Sequence, residues 1–178
     1  MYSTDYKFPS DVQVEVAGMK FTVKKGGKSN SRTFSAKHVK ISKEGDTIKI
    51  STDSPRKSDK AEVGTIAGHI KNMCEGMKNG VRYRLKAVYA HFPMSIKAES
   101  GFFIVNNFLG EKFPRKMKAM PGVDVKIAGQ ELTLTGVDRE TVGLYAAQIE
   151  QLCRVTGRDR RVFQDGIYII EKDGKPLK

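Results

Sequence analysis

The chain repeats one sequence pattern, with matching segments 79 to 84 residues apart. In the longest pair, Val63–Cys74 and Val142–Cys153, a valine, a glycine, an alanine, an isoleucine and a cysteine recur at the same spacing. Shorter pairs keep the same order: Phe8–Pro9 with Phe92–Pro93, Phe21–Val23 with Phe103–Val105, and Gly45–Ile50 with Gly129–Leu134. A repeated apolar pattern indicates a repeated buried face, so the sequence predicts two copies of one fold.

Each copy has the pattern of several short strands followed by one long helix. Val12–Val16 and Met19–Lys24 alternate apolar and polar residues, which is typical of a hairpin. We expect a polar loop at Lys24–Ser31 and further strands at Phe34–Ile41 and Thr47–Ser51. The predicted fold class is α+β: two tandem duplicated modules, each an antiparallel sheet with one long helix packed on one face.

The two predicted helices each carry an apolar stripe at spacings of three and four residues, which we interpret as core. Helix-start signals lie at Asp53–Asp59 for the first helix and at Asp138 for the second. Cys74 and Cys153 occupy the same late position on their stripes, which favours free core cysteines over a disulfide or a metal site. The three histidines lack zinc-like spacing, and no cofactor is expected.

These patterns predict three parts of the chain. The first sheet-plus-helix module covers residues 1–81, and the second, homologous module covers residues 82–156. A basic C-terminal segment, expected to contact RNA, covers residues 157–178.

A net charge of +12 and a pI near 9.7 favour a polyanionic partner. Nucleic acid is the first candidate, an anionic membrane surface the second and an acidic protein the third.

No apolar run approaches the roughly 20 residues of a membrane-spanning helix, and the N-terminus lacks a secretory pattern. Two cysteines without an export signal predict a reducing cytoplasm. Dispersed acidic residues and no recognisable catalytic signature argue against an enzyme.

The most informative basic segment follows the second predicted helix. Four arginines fall within eight positions: Arg154, Arg158, Arg160 and Arg161. Their planar guanidinium groups can bind phosphate oxygens in pairs or stack on bases, and Phe163 and Tyr168 add aromatic surface. The alternative is a solvated helix end before a short edge strand packed by Val162, Ile167 and Ile169. In that alternative, Asp159 and Asp165 pair with the arginines.

A second basic segment spans Lys112–Lys118. If it is a strand, Lys112, Lys116 and Lys118 share one side and can line a groove beside the arginines. Simple solubility is the alternative interpretation.

Three segments resemble the large-subunit ribosomal protein six family: Asn106–Lys112, Thr135–Gly143 and Arg160–Tyr168. The resemblance spans essentially the whole chain, and the ending Phe163–Tyr168 resembles the archaeal and eukaryotic branch. It implies a non-catalytic structural constituent of the large ribosomal subunit, located in the cytoplasm. This constituent binds large-subunit rRNA near the base of the acidic-protein stalk and the sarcin-ricin loop, where translation factors dock.

The resemblance also implies partners and contact residues. The partners are large-subunit rRNA and neighbouring large-subunit and stalk-base ribosomal proteins, with no membrane and no independent homo-oligomer. In the family the second module and the C-terminal segment carry most of the RNA contact. This corresponds here to Arg154, Arg158, Arg160, Arg161, Gln164 and Gly166, with Lys112, Arg115 and Lys116 as further candidates. Gly166 would let the backbone approach a phosphate closely. The alternative function is a free-standing basic RNA-binding or RNA-chaperone module.

Overall fold

A computed structural model describes residues 2–9 and 11–177, which divide between Gly80 and Val81 into two compact units, unit 1 and unit 2. Each unit contains one long helix packed on antiparallel strands, α1 (Lys57–Asn79) in unit 1 and α2 (Arg139–Leu152) in unit 2. The predicted α+β class with two tandem copies is therefore confirmed.

Unit 1 divides its strands between two antiparallel sheets. The strands are β1 (Tyr2–Lys7), β2 (Gln13–Ala17), β3 (Lys20–Lys25), β4 (Lys28–Thr33), β5 (Val39–Glu44) and β6 (Thr47–Thr52). Their order is β1-β6-β5 in one sheet and β2-β3-β4 in the other. Helix α1 packs on strands of both sheets, including β1, β3 and β6, so one apolar helix face closes the unit's core.

Unit 2 repeats this arrangement and extends it. Its strands are β7 (Val81–Val88), β8 (Ser95–Glu99), β9 (Phe102–Asn106), β10 (Arg115–Lys118), β11 (Val123–Ala128), β12 (Glu131–Gly136), β13 (Gly166–Lys172) and β14 (Lys175–Pro176). One sheet has the order β10-β9-β8 and the other β11-β12-β7-β13-β14. The first matches β4-β3-β2, and β11-β12-β7 matches β5-β6-β1. Strands β13 and β14 have no counterpart in unit 1, since they follow the helix.

The helix predictions hold except at Leu144, which was assigned to the buried stripe of α2 and is 52% exposed. The stripe residues Val63, Ile66 and Ile70 of α1 are buried, as are Val142 and Ile149 of α2. Both cysteines are free and buried, which confirms their assignment to the core. The Asp138 carboxylate caps α2 by accepting hydrogen bonds from the amides of Glu140 and Thr141, at 3.4 and 3.2 Å. At the corresponding position of α1, Arg56 makes no side-chain cap.

One loop prediction and one strand prediction in unit 1 are wrong, although the hairpin of β2 and β3 is confirmed. The expected loop at residues 24–31 is a second hairpin, because Gly26 and Gly27 take φ of 55° and 80° and connect β3 to β4 in a two-residue turn. The strand expected from Phe34 begins only at Val39. The polar strand β4 lies at a sheet edge and shows no apolar alternation.

No described helix is both long enough and apolar enough to cross a membrane.

Candidate nucleic-acid interface

The arginine-rich segment forms a loop, residues 153–165, that is fixed at both ends. At its start, Cys153 and Val155 are buried at 2% and 8% exposure. At its end, the buried Asp165 carboxylate accepts a 3.1 Å hydrogen bond from the Ala90 amide, and β13 then pairs with β7. The loop therefore presents its side chains from a defined backbone position.

All four loop arginines are exposed. The Arg158 guanidinium lies over the Phe163 ring, 4.8 Å from its centre. Among the described residues, no carboxylate forms an ion pair with Arg154, Arg158, Arg160 or Arg161. Their charges are available to a partner outside the chain.

The contacts support the alternative interpretation of this segment for the strand but not for the carboxylates. Asp159 accepts from the Arg161 backbone amide at 2.9 Å, and Asp165 accepts from Ala90, so neither neutralises a guanidinium. Strand β14 pairs only with Glu171 and Lys172, so the first part of β13 is a sheet edge. Ile167 and Ile169 pack in the core as this alternative expects, whereas Val162 is 72% exposed.

A cleft of about 220 Å³ opens beside the end of α2. It is lined by Glu150, Gln151, Cys153, Arg154, Val155, Arg160, Ile167 and Tyr168. Two of the four predicted arginines thus border one concave surface with an apolar floor.

Gln164 and Gly166 have internal roles. The side-chain amide of Gln164 donates to the Arg161 backbone carbonyl at 3.3 Å, and the backbone carbonyl of Gln164 accepts from the Tyr168 hydroxyl at 3.1 Å. Gly166 is buried, and a Cβ added there would lie 3.0 Å from the Tyr168 ring. The Tyr168 ring therefore lies close to Gly166, and the approach of a phosphate to this backbone stays a prediction.

The second basic segment is only partly a strand, since β10 begins at Arg115. Lys116 and Lys118 are exposed on one side of it, and Lys112 lies outside the strand, also exposed. The expectation of a common side therefore applies to two of the three lysines.

Arg115 points to the other side of β10, where its guanidinium makes contacts within unit 2. It donates to both oxygens of Glu111, at 2.6 and 2.9 Å, and to the Leu152 carbonyl at 2.7 Å. It also stacks on the buried Phe108 ring, 4.2 Å from its centre. The hydrogen bond from Arg115 lowers the pKa of Glu111 against the opposing effect of burial.

The two basic segments lie side by side. Arg115 Nη1 is 3.4 Å from the Arg154 carbonyl oxygen, and the charge of Arg158 also lowers the pKa of Glu111. We use the name basic surface for six exposed cations of these segments: Arg154, Arg158, Arg160, Arg161, Lys112 and Lys116.

One exposed residue of this region was missed by the sequence analysis. Phe113 is 85% exposed, the highest exposure of any large apolar side chain in the described part of the chain. Apolar residues are expected to be buried, so nothing in the sequence indicated that Phe113 is exposed.

Within the described ranges, no three His, Cys, Asp or Glu side chains are grouped so as to hold a metal ion. The arrangement is suited to binding an extended polyanion, because its charged groups are spread along a surface.

Comparison with known proteins identifies the family. The sequence pattern of the family described as Ribosomal protein L6 matches residues 8–80 and again residues 92–166. The chain belongs to the ribosomal protein L6 family. The two L6 matches coincide with the two repeats, and the family predicted from the sequence is confirmed.

Archaeal L6 relatives align with nearly the whole chain. The large ribosomal subunit protein uL6 of Methanococcus vannielii is 44% identical over 173 residues, covering 97% of this chain and 95% of the relative. Proteins of the same name are 40% identical in Methanobrevibacter smithii, over 95% of each chain, and 43% identical in Methanosphaera stadtmanae, over 96% of this chain and 93% of the relative. The predicted archaeal type is thereby supported.

Proposed function

We propose that this L6-family chain is a non-catalytic structural constituent of the large ribosomal subunit in the cytoplasm, where its basic surface binds large-subunit rRNA. The family membership and the names of its relatives support the ribosomal role. The observation that carries the RNA-binding role is the set of four exposed loop arginines, which lack carboxylate partners within the described residues.

The basic surface holds RNA mainly through phosphates and shape. Arginines on a loop with fixed ends can bridge RNA segments whose phosphates otherwise repel each other. Arg154, Arg158, Arg160, Arg161, Lys112 and Lys116 are the contact residues in this proposal. Arg115, Gln164 and Gly166 position the two segments through the internal contacts described above.

The predicted organisation of the chain enters the proposal with one refinement. The modules at 1–81 and 82–156 provide the scaffold, and the segment 157–178 contacts RNA together with Arg154, Lys112 and Lys116 of the second module. Within that segment the loop up to Gln164 is exposed, whereas β13 belongs to the sheet of unit 2.

The binding site on the ribosome is proposed from the family resemblance. It lies near the base of the acidic-protein stalk and the sarcin-ricin loop, beside other large-subunit proteins and close to where translation factors dock. The chain acts there as a single copy bound to rRNA, not as an independent homo-oligomer.

Sedimentation tests the ribosomal role. A minimally tagged chain is followed through sucrose gradients at low and moderate salt, with large-subunit rRNA probed in the same fractions. Comigration with the large subunit at both salt concentrations is expected. Recovery only in the free fractions would contradict the proposal and favour a free-standing RNA chaperone.

A further inference from the structure

Phe113 is exposed in a way that solubility and folding do not explain. Single exposed apolar side chains are common on protein surfaces, so its 85% exposure alone assigns no role. Its position is informative because the backbone on both sides of it is fixed while its ring has no packing in the core.

The fixed backbone comes from a closed loop. The paired hydrogen bonds between Glu111 and Arg115 connect residues four apart, so the three residues between them project outward. Arg115 is itself fixed by the Leu152 carbonyl and by the Phe108 ring, which is only 1% exposed. Pro114 further restricts the backbone at Phe113. The ring is therefore presented at little further loss of backbone entropy on binding.

The surroundings of the ring are basic. Lys112 precedes Phe113, the exposed Lys116 follows it on β10, and the Glu111 carboxylate is already paired with Arg115. Apolar residues around an exposed ring favour binding of an apolar protein surface. An aromatic ring between lysines is suited instead to stacking on a base that is flanked by phosphates.

We infer that Phe113 stacks on an unpaired base of the RNA, with Lys112 and Lys116 beside the phosphates of the same strand. This inference rests on the proposed function, since it names the part of the RNA that this end of the basic surface recognises. A base displaced from its helix, in a loop or bulge, offers the open face that the ring requires.

The chain contains no tryptophan, so Phe113→Trp introduces a single fluorescent reporter at the site. The full-length variant is titrated with an in vitro transcript of large-subunit rRNA at moderate salt. We expect quenching of tryptophan emission that follows the binding isotherm. Leu144→Trp, on an exposed position of α2 outside the basic surface, is the matched control and should show no quenching.

Affinity provides the second readout. Phe113→Ala and Phe113→Leu should each weaken binding of the transcript by roughly 5- to 150-fold, as expected for loss of one stacked base. The slope of log affinity against log salt should not change, since no charge is removed. Thermal unfolding should be unaltered in both variants, because the ring packs nothing.

Several outcomes would overturn the inference. Wild-type affinity in Phe113→Ala together with unquenched emission in Phe113→Trp would remove the stacking role and leave the proposed function intact. Retained affinity in Phe113→Leu would show that stacking of an aromatic ring is not required. An emission change only when large-subunit proteins are added would identify an apolar protein contact instead. Failure of the wild-type chain to bind the transcript would contradict the proposed function itself.

Discussion

A basic side chain can bind RNA only when its charged group is not already bound by acceptors within the protein, and Arg115 is a cation that is already bound. From the sequence, Arg115 is one of several cations between Lys112 and Lys118. In the structure its guanidinium is bound by Glu111 and by the carbonyl oxygens of Leu152 and Arg154, which lie 37 and 39 positions away. Sequence patterns do not reveal such distant acceptors, so the sequence could predict the basic segment but not the separation of contact from positioning residues.

The Glu111–Arg115 pair gives a pH prediction. Hydrogen bonding from Arg115 lowers the pKa of Glu111 from its ordinary value of 4.5, and burial opposes this. A lowered folded-state pKa means that the pair stabilises the loop fully above about pH 4.5 and is lost as pH falls through the lowered value. Carboxyl-carbon NMR of Glu111 should show this low pKa, and Arg115→Gln should raise it. An unchanged pKa in the variant would show that Arg115 is not the cause.

Gly166 gives a stability prediction. In Gly166→Ala the new Cβ would contact the Tyr168 ring, and the hydrogen bond from the Tyr168 hydroxyl to the Gln164 carbonyl keeps that ring in place. We therefore expect a loss of about 1–3 kcal/mol in the free energy of unfolding. Gly68→Ala, on the exposed side of α1 with open space around it, should instead add about 0.5–1 kcal/mol. Denaturant unfolding measures both. Wild-type stability with lost RNA affinity in Gly166→Ala would contradict this and support the phosphate role.

At the level of elements, the arginine loop depends on the strand that follows it. Glu171 of β13 binds Arg84 and Arg82 of β7, at 3.0 and 3.2 Å, and β14 pairs with the far end of β13, at Glu171 and Lys172. Clustering of arginines and the alternating isoleucines of β13 are visible in the sequence. The pairing of β13 with β7 is not visible, because alternation shows which faces are buried and does not show which strands are neighbours.

The helix cysteines give a prediction for each unit. Burial raises the pKa of Cys74 to about 11 and that of Cys153 to about 12, so neither thiol is ionised at neutral pH. We expect both to resist alkylation at pH 8 in the native chain and to react rapidly in denaturant, as measured by mass spectrometry of the labelled peptides. Fast labelling of Cys153 alone under native conditions would mean that the start of the arginine loop is not fixed.

At the scale of the whole molecule, the duplication was the most predictive sequence feature. The paired segments correctly placed both helices and β3, β6, β9 and β12, because buried apolar faces repeat when a fold repeats. The division of each unit into two sheets was not predicted, since polar edge strands such as β4 carry no apolar pattern.

Net charge alone does not locate the RNA-binding surface. Residues 1–80 contain 15 lysines and arginines against 9 acidic residues, and residues 81–178 contain 17 against 11, so each part carries +6. Arginine is distributed unevenly, with two in the first part and eight in the second. Because arginine binds phosphate in a fixed, paired geometry, its distribution favours unit 2 as the main contact.

The most direct test of this account is the salt dependence of binding to a large-subunit rRNA transcript. Removing two phosphate contacts in Arg160→Ala/Arg161→Ala should weaken binding and lower the slope of log affinity against log salt by roughly 1.5 units. Lys57→Ala/Lys60→Ala removes the same charge from exposed positions of α1 and should leave the slope nearly unchanged. Equal slopes for the two double variants would contradict a localised basic surface in unit 2.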